Sequence, residues 1–580
     1  MKLTSYKETS EDYFDLYGEK YTSKILELER TINSRINRPC HFNVFGFEAG
    51  LGKSRETNRI VDETFDDWNN SNKFLIVKPF KKDVIDTEEY FKHRNHGMRP
   101  NVVGITSDNA HEWEENCERL RDIRVIIITH QRYKNLCLKD ELRNAYSMDR
   151  NVLIIDEKIN FPVFTFSKNI YDEVRSILGI SIQADLDKVC DKLLREIQKH
   201  SIEKHQTRCI RCEPKINPRT LENFMRLMEV NVKSIPEMKH RNIVENFIEG
   251  LASWYSNKCI YNSGNISTNN PKHILWGLEN NIILDAGAAI DGIYKVAYNR
   301  FTLLGQDRIV DHSKSLFHIV DFNSSKEKIK YNKNEYFSEI SERIKQHHKI
   351  DDKTLIICHK ESASAIQFEL LKLGITSIGV GDDYTNQEYA INWFNNLVGK
   401  NLYFDFTKCW IIGTPNLSYE KYPIQYNLYS ENGLGKRSLA TVKGRFVNPE
   451  LNLVQVGLIA AEIYQSMKRI QRNSTPQGEF FLVNSDSEII SAVIGQIKGI
   501  VRGKSIKLDF TRNGNTAKEL DNVDKFVEYI TAKERGAYGK KQILSDIKVS
   551  NFSRMAKDER VIDLIQTNKI RIHNKYVEVL

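Results

Sequence analysis

The chain carries a series of short, almost wholly apolar runs, at residues 74–77, 102–106, 125–129 and 152–155, separated by amphipathic segments such as 110–120 and 131–145. A strand with one wet face alternates apolar and polar residues, whereas a strand covered on both faces is apolar throughout. These runs therefore predict a parallel sheet flanked by helices, an α/β fold. From about 166 to 275 the pattern turns helical and polar, and an apolar run at 282–284 resumes the sheet, so the block between reads as a helical insertion. A second alternating unit begins near Thr354, with strands expected at 355–357, 377–380 and 410–412 and helices at 362–373 and 387–397. At 580 residues the chain exceeds one core. The expected division is a helical extension at 1–34, a first unit at 35–300, a second at 301–500, and a basic linker with a compact tail at 501–580.

One loop in the first unit has chemical content. Ala49-Gly50-Leu51-Gly52-Lys53-Ser54 follows an apolar run ending at Phe45 and precedes a helical pattern from Arg55. In that strand, loop and helix order, backbone N–H groups and the helix N-terminus surround phosphates. Gly50, Gly52, Lys53 and Ser54 are then the nucleotide-binding residues, with Lys53 reaching the β/γ phosphates and the Ser54 hydroxyl ligating Mg²⁺. Phe47 stands where the first glycine of the full phosphate-loop pattern belongs, so only its second half is intact.

Two further groups fit the same chemistry. Asp156 and Glu157 end the apolar run at 152–155, at the sheet edge where ligands bind. Asp156 is expected to hold Mg²⁺ and Glu157 to deprotonate the attacking water, although such a pair alone equally caps a helix start. Gln465, Arg469 and Arg472, spaced i, i+4 and i+7, would share one helix face. Their guanidiniums could reach a γ-phosphate held by the first unit, as arginine fingers do, or line an exposed basic face.

Together these elements resemble the superfamily 2 helicases, the DEAD/DEAH-like motors with two RecA-like lobes, over most of residues 35–485. The segment 50–54 looks like motif I, Asp156-Glu157 like motif II, and Gln465, Arg469 and Arg472 like motif VI. The resemblance implies an ATP- and Mg²⁺-dependent helicase or translocase with Gln465 at the nucleotide. Segments 74–82 and 126–132 resemble those that line the nucleic-acid strand in relatives. Leu284-Asp285-Ala286-Gly287-Ala288 resembles motif III, with Gly287 in place of a threonine whose hydroxyl helps couple hydrolysis to lobe movement. Residues 381–386 with 412–415 resemble motifs IV and V. No adenine-reading Q motif precedes the loop, so the preference for ATP comes from the resemblance alone.

In the tail, helices at 541–547 and 553–564 precede a hairpin of 570–572 and 576–579, which looks like a winged helix. Arg554, Lys557, Arg560, Lys569, Arg571 and Lys575 could track a duplex backbone, or a packing domain could carry them as a solvated face. DNA is accordingly expected over RNA, with replication or defence proteins as partner classes. The formal net charge of +8 permits a polyanion without requiring one. No apolar stretch nears the roughly 20 residues of a membrane span, residues 1–8 are charged, and nine cysteines form no dense framework. A cytoplasmic protein without membrane partners is expected. Cys190, Cys209, Cys212 and Cys259 are either a metal site or scattered structural thiols. His130 and His359, each after an apolar run, are expected to pack or to contact the strand. Two other functions remain: an ATP-gated DNA-binding or scaffold protein, and a terminase-like packaging ATPase with a nuclease at 350–480.

Overall fold

The computed structural model describes residues 17–94, 101–201, 209–305, 307–331, 333–381, 387–397, 402–430, 433–508, 522–547, 549, 552–556, 558–566 and 569–580. The chain forms two compact units, Met1–Leu508 and Asp509–Leu580.

In the first unit β1 (Phe42–Phe45), β2 (Phe74–Lys78), β3 (Val102–Ile105), β4 (Val125–Thr129) and β5 (Val152–Asp156) are laid down in turn. An insertion then contributes β6 (Phe164–Phe166), β7 (Ile210–Cys212), β8 (Cys259–Asn262) and β9 (Asn265–Thr268), after which β10 (Asn280–Leu284) and β11 (Phe301–Leu304) complete the first sheet. Its order is β11-β1-β10-β5-β2-β4-β3, parallel throughout. Every residue of β2, β5 and β10 is buried, as strands covered on both faces must be. Register sets the site: Phe45 pairs with Leu284 and Leu284 with Asp156, so the loop after β1, the turn after β10 and the end of β5 share one edge. The helix Glu19–Asn33 buries Tyr21, Ile25, Leu28 and Ile32 on one stripe against this sheet's helices.

The insertion is not wholly helical. Helices Lys168–Ile177, Ile180–Ser201, Pro218–Asn231 and Met238–Ser256 pack on an antiparallel sheet of order β6-β9-β8-β7. Ser263 and Gly264 both have positive φ and turn the β8–β9 hairpin; Asn-Ser-Gly-Asn between two short runs was its sequence signal. Residues 202–208 of the insertion lie outside the described residues.

The second sheet holds β12 (Leu316–Asp321), β13 (Thr354–Cys358), β14 (Ile378–Val380), β15 (Tyr389–Trp393) and β16 (Lys408–Ile412). After the small hairpin of β17 (Thr441–Val442) and β18 (Arg445–Phe446) it is completed by β19 (Glu479–Val483), β20 (Val501–Arg502) and β21 (Ile506–Lys507). Its order is β14-β15-β13-β16-β19-β12-β20, with β21 also on β12. The helix expected at 387–397 is instead the strand β15. Tyr389 to Asn392 are buried between β13 and β14, and the apolar run Tyr389-Ala390-Ile391 is too short to bury a helix face. The expected boundaries also shift. Pairing of β11 with β1 carries the first sheet past residue 300, and pairing of β20 and β21 with β12 carries the second past 500. The segment 382–386 of the expected motif IV region lies outside the described residues.

In the second compact unit, helix Asn522–Thr531, β22 (Gly536–Gly539), helices Lys540–Asp546, Phe552–Met555 and Glu559–Gln566, and β23 (Ile570–Ile572) and β24 (Tyr576–Val579) surround Phe526, Ile530, Ile543, Val561 and Val577. The helix expected at 553–564 is two, and β22 adds a third strand to the hairpin, in the order β22-β24-β23. Of the basic residues expected there, Lys569, Arg571 and Lys575 are exposed. Lys557, the side chains of Arg554 and Arg560, and the linker at 509–521 lie outside the described residues.

Candidate active site

The loop after β1 is held open by glycine. Gly50 and Gly52 have φ of +93° and +69°, which side chains with a Cβ rarely adopt. Gly52 is the N-cap of the helix Lys53–Glu63, so the helix N-terminus points into the loop. Phe47 does not enter it; its ring is buried against Phe45 and Gly305. The Lys53 ammonium reaches over the loop and donates to the Phe47 and Glu48 carbonyls at 2.9 and 3.4 Å. Burial lowers its pKa, opposed by the charges of Asp156, Asp285 and Glu157.

Asp156 is the meeting point. Its Oδ2 accepts from the Ser54 hydroxyl at 2.7 Å and from the Lys78 ammonium at 2.9 Å. Burial alone would raise its pKa, but the Lys78 charge and both hydrogen bonds hold it below the usual carboxylate range. Ser54 and Asp156 are hard oxygen ligands side by side, a set that fits Mg²⁺. Glu157 has φ +66°, a left-handed conformation that costs a non-glycine residue about 1–2 kcal/mol. Its N–H donates to Leu284 O of β10 at 3.0 Å, and the strand end is thereby fixed. Burial, with the Asp156 charge beside it, pushes the Glu157 carboxyl up to about 7, against the pull of Arg469. His130 Nε2 lies 2.8 Å from Asp156 O, and burial lowers its pKa to about 4, so it packs there as a neutral ring. His359 is buried in the second lobe against Phe394 and Gly413.

The second lobe enters along the helix Pro449–Met467. Gly292 and Gly457 make a backbone approach so close that a Cβ on Gly457 would lie 2.4 Å from Gly292 N. This brings Gln465 to the turn after β10: a Cβ on Gly287 would lie 3.2 Å from Gln465 Nε2. Within the turn, Asp285 accepts from Gly287 N and from the Tyr294 hydroxyl, at 2.7 and 2.9 Å. The single helix face expected for Gln465, Arg469 and Arg472 is corrected. The helix ends at Met467, because Ile470 drops into the second core and Gln471, at φ +47°, bonds to Phe404 O and Phe406 O. Arg472 instead folds back, Nε donating to Lys468 O at 3.0 Å, and its Cβ lies 3.6 Å from where a Cβ on Gly50 would stand. Arg469 is buried within range of the Glu157 and Glu462 charges.

Lys78, Glu48 and Lys158 carry parts of this site that their sequence positions did not reveal. Glu48 Oε2 accepts from Ile309 N and Val310 N at 2.7 and 3.0 Å, tying the connection between the lobes to the phosphate loop. Lys158 pairs with buried Asp291 and lies over the rings of Tyr294 and Tyr429. The four cysteines do not converge. Cys212 and Cys259 face each other on β7 and β8, and Cys190 and Cys209 belong to different cores. Among the described residues, no group of three or more His, Cys, Asp or Glu side chains is placed to hold a metal, and no helix is long and apolar enough to cross a membrane.

No family model matches the sequence, and no curated protein is similar to it in sequence. Among solved structures, that of Xpd4 from S. tokodaii is 12% identical, covers 83% of this chain and 99% of its own, and superposes with a TM-score of 0.50. The DNA-bound structure of the DUF1998 helicase MrfA is 10% identical, covering 97% of this chain and 57% of its own at a TM-score of 0.38. Mss116p bound to ssRNA and AMP-PNP is 12% identical, covering 92% and 85% at 0.35. The likeness to Xpd4 is one of fold: two parallel α/β sheets flanked by helices, as in a pair of RecA-like lobes.

Proposed function

We propose that this chain is an ATP- and Mg²⁺-dependent nucleic-acid helicase or translocase, acting on DNA in replication, repair or defence. One observation carries the reading: residues of the second lobe come against those of the first, with Arg472 packed at Gly50 and its charge felt by Lys53, Arg469 acting on the Glu157 carboxyl beside Ser54 and Asp156, and Gln465 at the Gly287 turn. In this reading Lys53 leaves the Phe47 and Glu48 carbonyls for the β/γ phosphates, and Gly50 and Gly52 present backbone N–H groups to the same anion. Ser54 and Asp156 would hold Mg²⁺, which when bound would supply charge neutralisation at the phosphates. Glu157 takes a proton from the attacking water, and Arg469 and Arg472 meet the charge that develops on the γ-phosphoryl oxygens. Hydrolysis frees the γ-phosphoryl group as phosphate, and release of that phosphate removes the anion that draws the arginines to the loop, so the lobes relax apart and the bound strand advances.

The preference for DNA rests on the winged-helix-like unit, whose exposed Lys569, Arg571 and Lys575 suit a duplex backbone. Gly287 supports a second reading, an ATP-gated DNA-binding or scaffold protein, because the turn beside Gln465 lacks the hydroxyl that relatives use in coupling. A parallel second sheet carrying arginines toward the loop favours either over a packaging ATPase with a nuclease. ATPase rates with single-stranded DNA, duplex DNA and RNA, beside a strand-displacement assay, decide among them. Stimulated turnover with displacement is expected; stimulated turnover without it favours the gated binder, and no turnover removes both.

A further inference from the structure

Lys78 occupies an unusual position for a lysine. It ends β2, a strand buried along its whole length, and is itself only 3% exposed. Pairing of Val77 with Ile155 brings it level with Asp156, whose Oδ2 receives both its ammonium and the Ser54 hydroxyl. That oxygen is also the one that a cation beside Ser54 would need. Two cations on one buried oxygen repel strongly, so an ammonium and a divalent ion cannot share it.

The surroundings offer Lys78 a second partner. Asp156, Glu157, Ser54 and Lys78 line a cavity of about 300 Å³ whose other wall carries Asp83 and Asp86 of the helix Lys81–Arg94. Asp83 already feels the Lys78 charge, and its carboxylate accepts from Phe80 N at 3.3 Å. Only Pro79 and Phe80 separate Lys78 from that helix, in the segment 78–82 that begins with the site and ends at the surface.

We propose that Lys78 is a positioning residue with two stations: it competes with the divalent cation for Asp156, and crosses the cavity to Asp83 when the cation is bound. The proposal rests on the nucleotide reading of the site. Lys78 thus sets the Mg²⁺ concentration at which nucleotide is gripped, and its crossing alters the charge beside Pro79 and Phe80. A bound strand that holds this segment would in turn favour one station over the other.

Two variants shift the competition in opposite directions. Lys78→Met removes the competitor, and Asp83→Asn removes the second station. Binding of a fluorescent ATP analogue, followed by anisotropy during Mg²⁺ titration, reads the competition without turnover. Half-saturating Mg²⁺ is expected to fall about tenfold in Lys78→Met and to rise severalfold in Asp83→Asn. Asp83 is half-buried at the cavity wall, so its variant keeps the question open should Lys78→Met fail to fold. An unchanged midpoint in Asp83→Asn, or shifts of the same sign in both variants, overturns the two-station role while leaving the nucleotide site standing. If the wild-type protein fails to bind the analogue at any Mg²⁺ concentration, the nucleotide reading and this proposal fall together.

Discussion

At the residue scale, Lys53 and Glu157 are expected to separate binding from chemistry. Lys53→Ala removes a phosphate contact and supports no core, so analogue binding and turnover should both be lost at an unchanged melting temperature. Glu157→Gln keeps Asp156 and Ser54 intact, so it should bind the analogue and hydrolyse ATP at least about 10²-fold more slowly. Loss of binding in Glu157→Gln would move that residue from base to structural support. Arg472→Ala should lower kcat by about 10²-fold or more with little change in nucleotide affinity, because its contact strengthens as transition-state charge develops. Steady-state kinetics beside equilibrium binding check this split. The loop, the carboxylate pair and the arginines stood out as candidates because phosphate chemistry asks for fixed residue types at fixed offsets. Lys78 was legible only as part of the segment 74–82 that resembles one lining the nucleic-acid strand, since nothing in a linear sequence says that β2 and β5 are adjacent in register. Phe47 broke the loop pattern without breaking the loop: its side chain belongs to the hydrophobic core, and the loop's shape is set by the backbone of Gly50 and Gly52.

At the scale of elements, the edge of the second sheet away from the site is closed by charge. Glu479 begins β19 beside Lys408 of β16, with His318 Nε2 of β12 3.0 Å away and Asp352 3.3 Å from the same lysine. Burial alone would raise the Glu479 pKa, but the His318 hydrogen bond and the Lys408 ammonium bring it down to about 2. A carboxylate depressed in the folded state adds stability above its unfolded pKa and loses it as pH falls toward 2. Glu479→Gln should therefore melt about 2–4 °C below wild type at pH 7, with the gap closing near pH 2 to 3. Calorimetry across that range measures it, and a gap independent of pH would mean packing rather than charge. Elements were legible where periodicity was long. The strand β15 was misread because its buried run is brief and its polar flanks, Gln387, Glu388, Asn395 and Asn396, extend it into a false helix. The β8–β9 hairpin was missed because its strands are four residues each and lie among helices of 10 to 22 residues.

At the scale of the whole molecule, the compact boundary falls after Leu508 and not at 501. Removal of residues 509–580 should leave the first unit folded and its basal ATPase near wild type, while duplex binding weakens and its salt dependence becomes shallower. Unchanged affinity and salt slope would assign duplex contact to the first unit. The order of α/β unit, insertion, α/β unit and tail was readable, since each change of pattern spans tens of residues. Which pieces share a core was not. The helix Lys421–Tyr429 belongs by sequence to the second lobe, yet Tyr422, Ile424, Tyr426 and Tyr429 are packed in one cluster with Phe42, Tyr294 and Phe301 of the first, and the Tyr429 hydroxyl donates to Ile159 O at 2.5 Å. A protein engineer who cut this gene between the sheets would part a single oily seam. Residues 17–304 expressed alone would present its bare half to solvent, and should come out of cells as aggregate, while the longer piece 17–508 stays in the supernatant. Size-exclusion profiles of the two fragments, purified side by side, show whether the seam is as continuous as the packing makes it.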